Sequence, residues 1–197
     1  MSWQASRKRP EFAAGGRIAG SEVTTKQIAA AMKRAESVLK RRPGAGLTAD
    51  APAMANWEGG MRVVTRSEGG PSLSTDMPGE LGGSGDRVSP GWLLRAGLAS
   101  CLVTRIAMAA AAQGIDLESI DVAASSRSDA RGLLGMTGGA GERIDPGPLE
   151  LTLHVRISAR GIPPERLRAL VDYSHAHSPV SAAISKSIPI SLSVESI

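Results

Sequence analysis

The chain has 197 residues, 42% of them hydrophobic but only 3% aromatic, so its length allows a single buried core built mainly from Ala, Leu, Ile and Val. Its one cysteine excludes an intrachain disulfide framework and fits a reducing compartment such as the cytoplasm. The formal charge is +4, but residues 1–42 hold ten Lys or Arg against three Glu, a net of +7 that leaves −3 on the remainder. The basic character therefore belongs to an N-terminal extension, read here as residues 1–50, and the body as residues 51–197.

Within the extension, residues 1–20 read as a flexible leader rich in Gly, Ala and Arg, with no apolar block of the kind a secretory signal needs. A helix is expected from Thr24 or Thr25, with threonine as its cap. Ile28, Ala31, Met32, Ala35, Val38 and Leu39 then recur at spacings of three and four, and Pro43 and Gly44 stop it. The positive charge brings no aromatic interleaving or base-reading motif, so it reads as a solvated face and no nucleic-acid partner is expected.

The body begins with a hairpin reading. Met61, Val63 and Thr65 alternate with Arg62, Val64 and Arg66, "EGG" turns the chain, and Leu73, Thr75 and Met77 continue it. "GELGGSGDRVSP" is a glycine-rich loop in which Ser89 caps and Pro90 opens a long helix that stops at Gln113-Gly114. That helix approaches membrane-span length, but Arg95 and Arg105 lie inside it, each costing about 2.5–3.5 kcal/mol at a bilayer centre, so a buried helix is expected and no membrane partner. A strand follows around Ile120–Ser126, then the irregular "ARGLLGMTGGAGERIDPGP", then the clearest half-buried strand, with Leu149, Leu151, Leu153, Val155 and Ile157 alternating. "PPERLRALVDYSHAH" reads as an amphipathic helix. A short helical turn and a last strand, Ile188–Val194, complete the order ββ-α-ββ-α-β. Strands and helices do not alternate as βαβ units, so the fold class is α+β with an extra N-terminal helix.

Cys101 lies in the long helix, with Gly97 and Leu98 one turn before it and Thr104 and Arg105 one turn after. Arg105 at that spacing would favour the thiolate, the reactive form of the side chain. A lone buried cysteine also serves as a small hydrophobe. Spacing alone leaves both readings open. No Walker or Rossmann glycine pattern is present, and Ser84, Ser89 and Ser178 lie outside any G-x-S-x-G elbow, so nucleotide binding and serine-hydrolase chemistry are set aside. His175 and His177, two apart on a helix, do not face one ion, and no metal or other cofactor is expected.

The stretch "GELGGSGDRVSPGWLLRAGLASCL", with the later "AAQGIDLESIDV" and "AHSPVSAAI", resembles the OsmC/Ohr family of organic hydroperoxide reductases from about Asn56 onward. The "SDARGLLG" and "AHSP" segments suggest a variant branch. The resemblance implies an OsmC-like fold with a central cysteine-bearing helix, an intertwined homodimer, and a cysteine that attacks a hydroperoxide to become a sulfenic acid. In that family a second cysteine closes a disulfide, while an arginine on the early hairpin and a glutamate before the cysteine hold the thiolate ready. Here Cys101 matches the attacking cysteine and Ser178 stands where the second cysteine is expected. Gly91 stands in the glutamate position, and Arg62 falls one residue late for the arginine. The implied catalytic set is Cys101, Arg105 and Arg62, with Glu80, Arg95, His177, Ser178, Asp129 and Arg131 as pocket candidates. Because a hydroxyl cannot form a disulfide, an external thiol reductant is implied beside the hydroperoxide. The alternative is a degenerate member that binds a small molecule at the dimer interface.

Overall fold

A computed structural model describes residues 23–186 and 188–196. The leader reading for residues 1–20, with Arg7, Lys8, Arg9 and Arg17, lies outside the described residues. Helix α1, Thr25–Arg41, starts where Thr24 accepts from the Gln27 backbone N–H while the Gln27 side chain accepts from the Thr24 N–H, a reciprocal capping box. Its expected apolar stripe is there, yet the helix has no buried residue, and Val38 and Leu39 remain more than two-fifths exposed.

The expected hairpin is a three-stranded antiparallel meander of β1 (Ala53–Gly59), β2 (Arg62–Ser67) and β3 (Ser72–Thr75). The missed strand, "AMANWEG", lacks alternating apolar residues and is mostly exposed, so it carries no period-two signal. Gly59 and Gly60 turn the first hairpin at φ +105° and +54°, where residues with a Cβ are strained.

Helix α2, Pro90–Ala112, is capped by Ser89, which accepts from the Trp92 N–H, and Gly114 ends it at φ +65°. It is long and apolar enough to cross a membrane, but it is the core helix of this domain. Leu102 and Ile106 are at most 1% exposed, and Ala109 and Ala110 extend the buried face. This face packs on the inner side of a two-stranded antiparallel sheet, β4 (Leu117–Ser128) with β5 (Pro148–Ala159), through Ile120, Val122, Leu153, Val155 and Ile157. A two-stranded ribbon is marginal alone, so the helix is what makes it stable. Between β4 and β5 lie the single turn α3, Ala130–Leu133, and a Thr137–Arg143 bridge. Helix α4, Pro164–Ala176, buries Leu167, Leu170 and Ser174 against α2, and α5, Pro179–Ser185, follows after one bend.

The last expected strand does not form. Ile188, Ile190, Leu192 and Val194 are 59, 93, 87 and 80% exposed and pair with no strand among the described residues. Their alternation is intact, but Pro189 lacks an N–H and the chain folds no sheet edge alongside the segment. The order is therefore βββ-α-β-α-β-α-α after α1, still an α+β fold. Ile106 sits at the centre of the helix–sheet contact, fully buried. Ile106→Ala is expected to cost about 2–5 kcal/mol, read as a lowered urea midpoint with the helical circular dichroism of the folded state retained.

Candidate functional site

Cys101 is half-buried at the middle of α2. The Ser178 hydroxyl donates to its sulfur at 3.2 Å, across 77 residues of chain. Ser178 is fully buried, being the N-cap of α5, and its oxygen accepts in turn from the Ser181 backbone N–H at 3.4 Å. Its own N–H donates to the His175 carbonyl, so the bend between α4 and α5 fixes it from both sides. One turn earlier, the Ser174 hydroxyl donates to Leu170 O at 2.7 Å and lies 3.5 Å from Arg105 O, holding α4 against α2. The thiol therefore faces a polar group that the fold has positioned.

The other candidates do not gather around the sulfur. Arg105 turns its guanidinium along the helix to Met108 Sδ at 3.8 Å, and its buried Nε has no partner. Among the described residues, the hydrogen-bond contact of its side chain is this one to the next turn of α2, not one to the thiol expected at the same helical spacing. Arg95 donates to Ser126 on β4 at 3.0 Å, tying the helix to the sheet. Its guanidinium lies 3.7 Å from where a Cβ at Gly91 would be, so it borders the position of the missing glutamate. His177 is exposed, hydrogen-bonded through Nδ1 to Tyr173 O at 2.8 Å and stacked on the Tyr173 ring, rather than beside Cys101. Glu80 stands exposed in a single 3-10 turn at Gly79–Leu81. Asp129 and Arg131 satisfy each other at 2.6 Å, and the Asp129 carboxyl is held below its ordinary value first by the Arg131 side chain.

Arg62 belongs to a second cluster. Its Nη2 lies 2.8 Å from Asp86, 3.2 Å from Asp76 and 2.9 Å from the Ser84 hydroxyl. Asp76, 3% exposed, also accepts from the Met77 and Ser84 N–H groups and from the Ser84 hydroxyl. Gly83 sits under this loop with no room for a side chain, since an added Cβ would lie 1.8 Å from Met77 O. Asp76 N–H donates to Val88 O, closing the loop just before the Ser89 cap of α2. Arg62 is thus a staple of the glycine-rich loop, its Nη2 engaged by Asp76, Asp86 and Ser84. Sequence reasoning missed Asp76, Ser84 and Asp86 because ion pairs across a loop leave no periodicity; the signal available was two aspartates flanking a glycine run that follows a hairpin arginine.

A helix-borne thiol in an α+β domain, faced by a buried hydroxyl from the start of a short helix, defines a small single-cysteine thiol protein. The sequence profile of the OsmC-like protein family matches residues 83–193, and the chain belongs to that family. Solved structures agree. The chain is similar to an organic hydroperoxide resistance protein OsmC from Legionella pneumophila at 27% identity, with a TM-score of 0.51, covering 70% of this chain and 91% of that one. An OsmC-like protein from Mycoplasma pneumoniae matches at 15% identity and TM-score 0.58, over 71% of this chain and 89% of that one. An organic hydroperoxide resistance protein from Elizabethkingia anophelis matches at 23% and 0.54, over 70% and 89%. Among curated proteins, none matches the chain in sequence.

The loop cluster predicts a pH response. Both Asp76 and Asp86 titrate below the ordinary carboxyl value of 3.8, first through the Ser84 hydroxyl and also through the Arg62 charge. A carboxyl whose folded value is depressed contributes stability that is present above the ordinary carboxyl range and is lost as pH falls through the folded value. The urea midpoint should therefore drop below about pH 4. Asp76→Asn should lower the midpoint at neutral pH and flatten the acid limb, as followed by tryptophan fluorescence across the titration.

Proposed function

We propose that this OsmC-like protein reduces organic hydroperoxides through Cys101 alone. The observation that carries the reading is the 3.2 Å contact from Ser178 to the Cys101 sulfur. It sits where the family resemblance puts a disulfide-forming cysteine, and it supports a thiol chemistry stripped of its internal resolving step. In the first half-reaction the Cys101 thiolate attacks the distal oxygen of ROOH, the O–O bond breaks, sulfur becomes a sulfenic acid, and the alkoxide takes a proton from water to leave as ROH. An external thiol then attacks that sulfur, expelling water and forming a mixed disulfide, and a second external thiol frees Cys101 as a small disulfide departs. Ser178 donates a hydrogen bond to sulfur in the resting state, keeps its proton and takes no part in the electron transfer. A reducing cytoplasm would supply the thiol.

The working unit under this reading is a homodimer. Support comes from the segment Ile188–Val194, which keeps a strand's apolar alternation and pairs with no strand among the described residues, and from open edges on both sheets. A second copy supplies a complementary edge, and pairing satisfies backbone groups that otherwise face water. Replacing Ile190 and Leu192 together with Lys should shift the mass measured by light scattering from dimer to monomer.

A second reading, a member of the family that binds a small molecule without redox chemistry, is favoured by three observations. Arg62 is occupied by Asp76 and Asp86, Arg105 is turned to Met108, and Gly91 offers no carboxylate. Intact mass after stoichiometric organic hydroperoxide, with a sulfenic-acid trap present, separates the two. The expected result is a rapid adduct on Cys101 that is absent in Cys101→Ser; an unmodified wild-type thiol would select the binding reading. Ser178→Cys is expected to turn the adduct into an intramolecular disulfide, because the side chains at 101 and 178 already touch.

A further inference from the structure

One turn away from the thiol pair, between α2, β5 and α5, lies a cavity of about 330 Å³. Its walls are Leu98, Leu151, Leu153 and Ile184, with His175, Ser181 and the exposed Ser185 as polar members, and neither Cys101 nor Ser178 lines it. No Lys, Arg, Asp or Glu lines it either. Ser181 is 5% exposed, and its hydroxyl has no hydrogen-bond partner. A buried hydroxyl left unpaired costs free energy that an alanine at the same place would not. The neighbouring Ser174 and Ser178 hydroxyls are both satisfied within the chain, which sets Ser181 apart.

We propose that this cavity is a binding site for a small neutral amphiphile, with an apolar body against the leucines and one hydrogen-bonding head at the Ser181 hydroxyl. The absence of charge on its walls disfavours an ionised ligand, whose desolvation nothing there would repay. The volume of about 330 Å³ admits at most roughly eleven non-hydrogen atoms at about 30 Å³ of liquid volume each. The proposal does not depend on peroxide chemistry, because the cavity and its hydroxyl are separate from the sulfur.

n-Hexanol is the probe, titrated into the full-length protein and followed by amide chemical shifts and thermal melting, with hexanoate as the charged control. Saturable n-hexanol shifts centred on α5 and Leu98, with none for hexanoate, are expected. Ser181→Ala should weaken n-hexanol binding about five- to tenfold, the loss of one hydrogen bond to a buried group, while leaving the free protein at least as stable. Ile184→Trp, which fills the cavity from its rim, should abolish the shifts with the fold retained. The proposal is overturned by n-hexanol binding that Ser181→Ala leaves unchanged, or by no saturable shift at all. It is also overturned if n-hexanol dissociates dimers, since a second copy of the chain would then be the occupant. Because Cys101→Ser should bind n-hexanol as wild type does, failure of the peroxide reading and failure of this one remain distinguishable.

Discussion

The structure depends on burying one helix. Helix α2 is apolar around much of its circumference, so a single neighbour cannot cover it, and β4–β5, α4 and α5 are each placed by the need to do so. The run Ala109–Ala111 is what permits close approach, since small side chains bring the helix axis down onto the sheet. The sheet in turn has only two strands, and its inner residues Val122, Val155 and Ile157 gain a dry partner only from this helix. Neither layer is stable alone; together they form one core.

The position of the thiol follows from that packing. Cys101 lies one residue before Leu102, at the edge of the buried face, so it is held rigidly without being sealed off. The same packing brings α5 against α2 and delivers the Ser178 hydroxyl to the sulfur. A hydroxyl in that place conserves the polar contact while removing the second thiol. Under the proposed reading, oxidation at Cys101 and its resolution are divided between this protein and an outside thiol, because a hydroxyl at 178 closes no disulfide. The arginines near the helix have been taken up by other needs: Arg95 ties the helix to Ser126, and Arg62 staples the loop that feeds the helix N-terminus. Ordering that loop and activating a thiol are competing uses of one guanidinium, and the buried Asp76 and exposed Asp86 carboxylates hold it at 3.2 and 2.8 Å.

What the residues disclose in advance divides along the same line. Helix α2 and strand β5 are legible because burial imposes a period on them: the Ser89-Pro90 start, the Gln113-Gly114 stop and the Leu151–Leu153–Val155–Ile157 alternation are local signals of a global core. Strand β1 is held by ladder pairing with β2 and buries little, so its side chains carry no period and the strand could not be read. The Cys101–Ser178 pair was legible only through a family resemblance, since a contact across 77 residues writes nothing into local spacing. The directions of Arg105 and His177 were not legible at all. Helical spacing puts Arg105 within reach of both Cys101 and Met108, and only the packing around α2 chooses between them.

The C-terminal segment shows the opposite failure, a signal the single chain does not use. Its alternation reads as that of a half-buried strand, yet no strand forms there and Ile190, Leu192 and Val194 are at least four-fifths exposed. Four large aliphatic side chains in strict alternation have no solvation reason to be where they are. In water each exposes surface that burial would relieve by about 1.5–3 kcal/mol, and an unpaired edge invites association. A period-two pattern is evidence for a buried face but not for whose sheet provides it. Both sheets leave an edge strand unpaired, and an open edge is where such a face would pair, which is why a second copy enters the proposed reading.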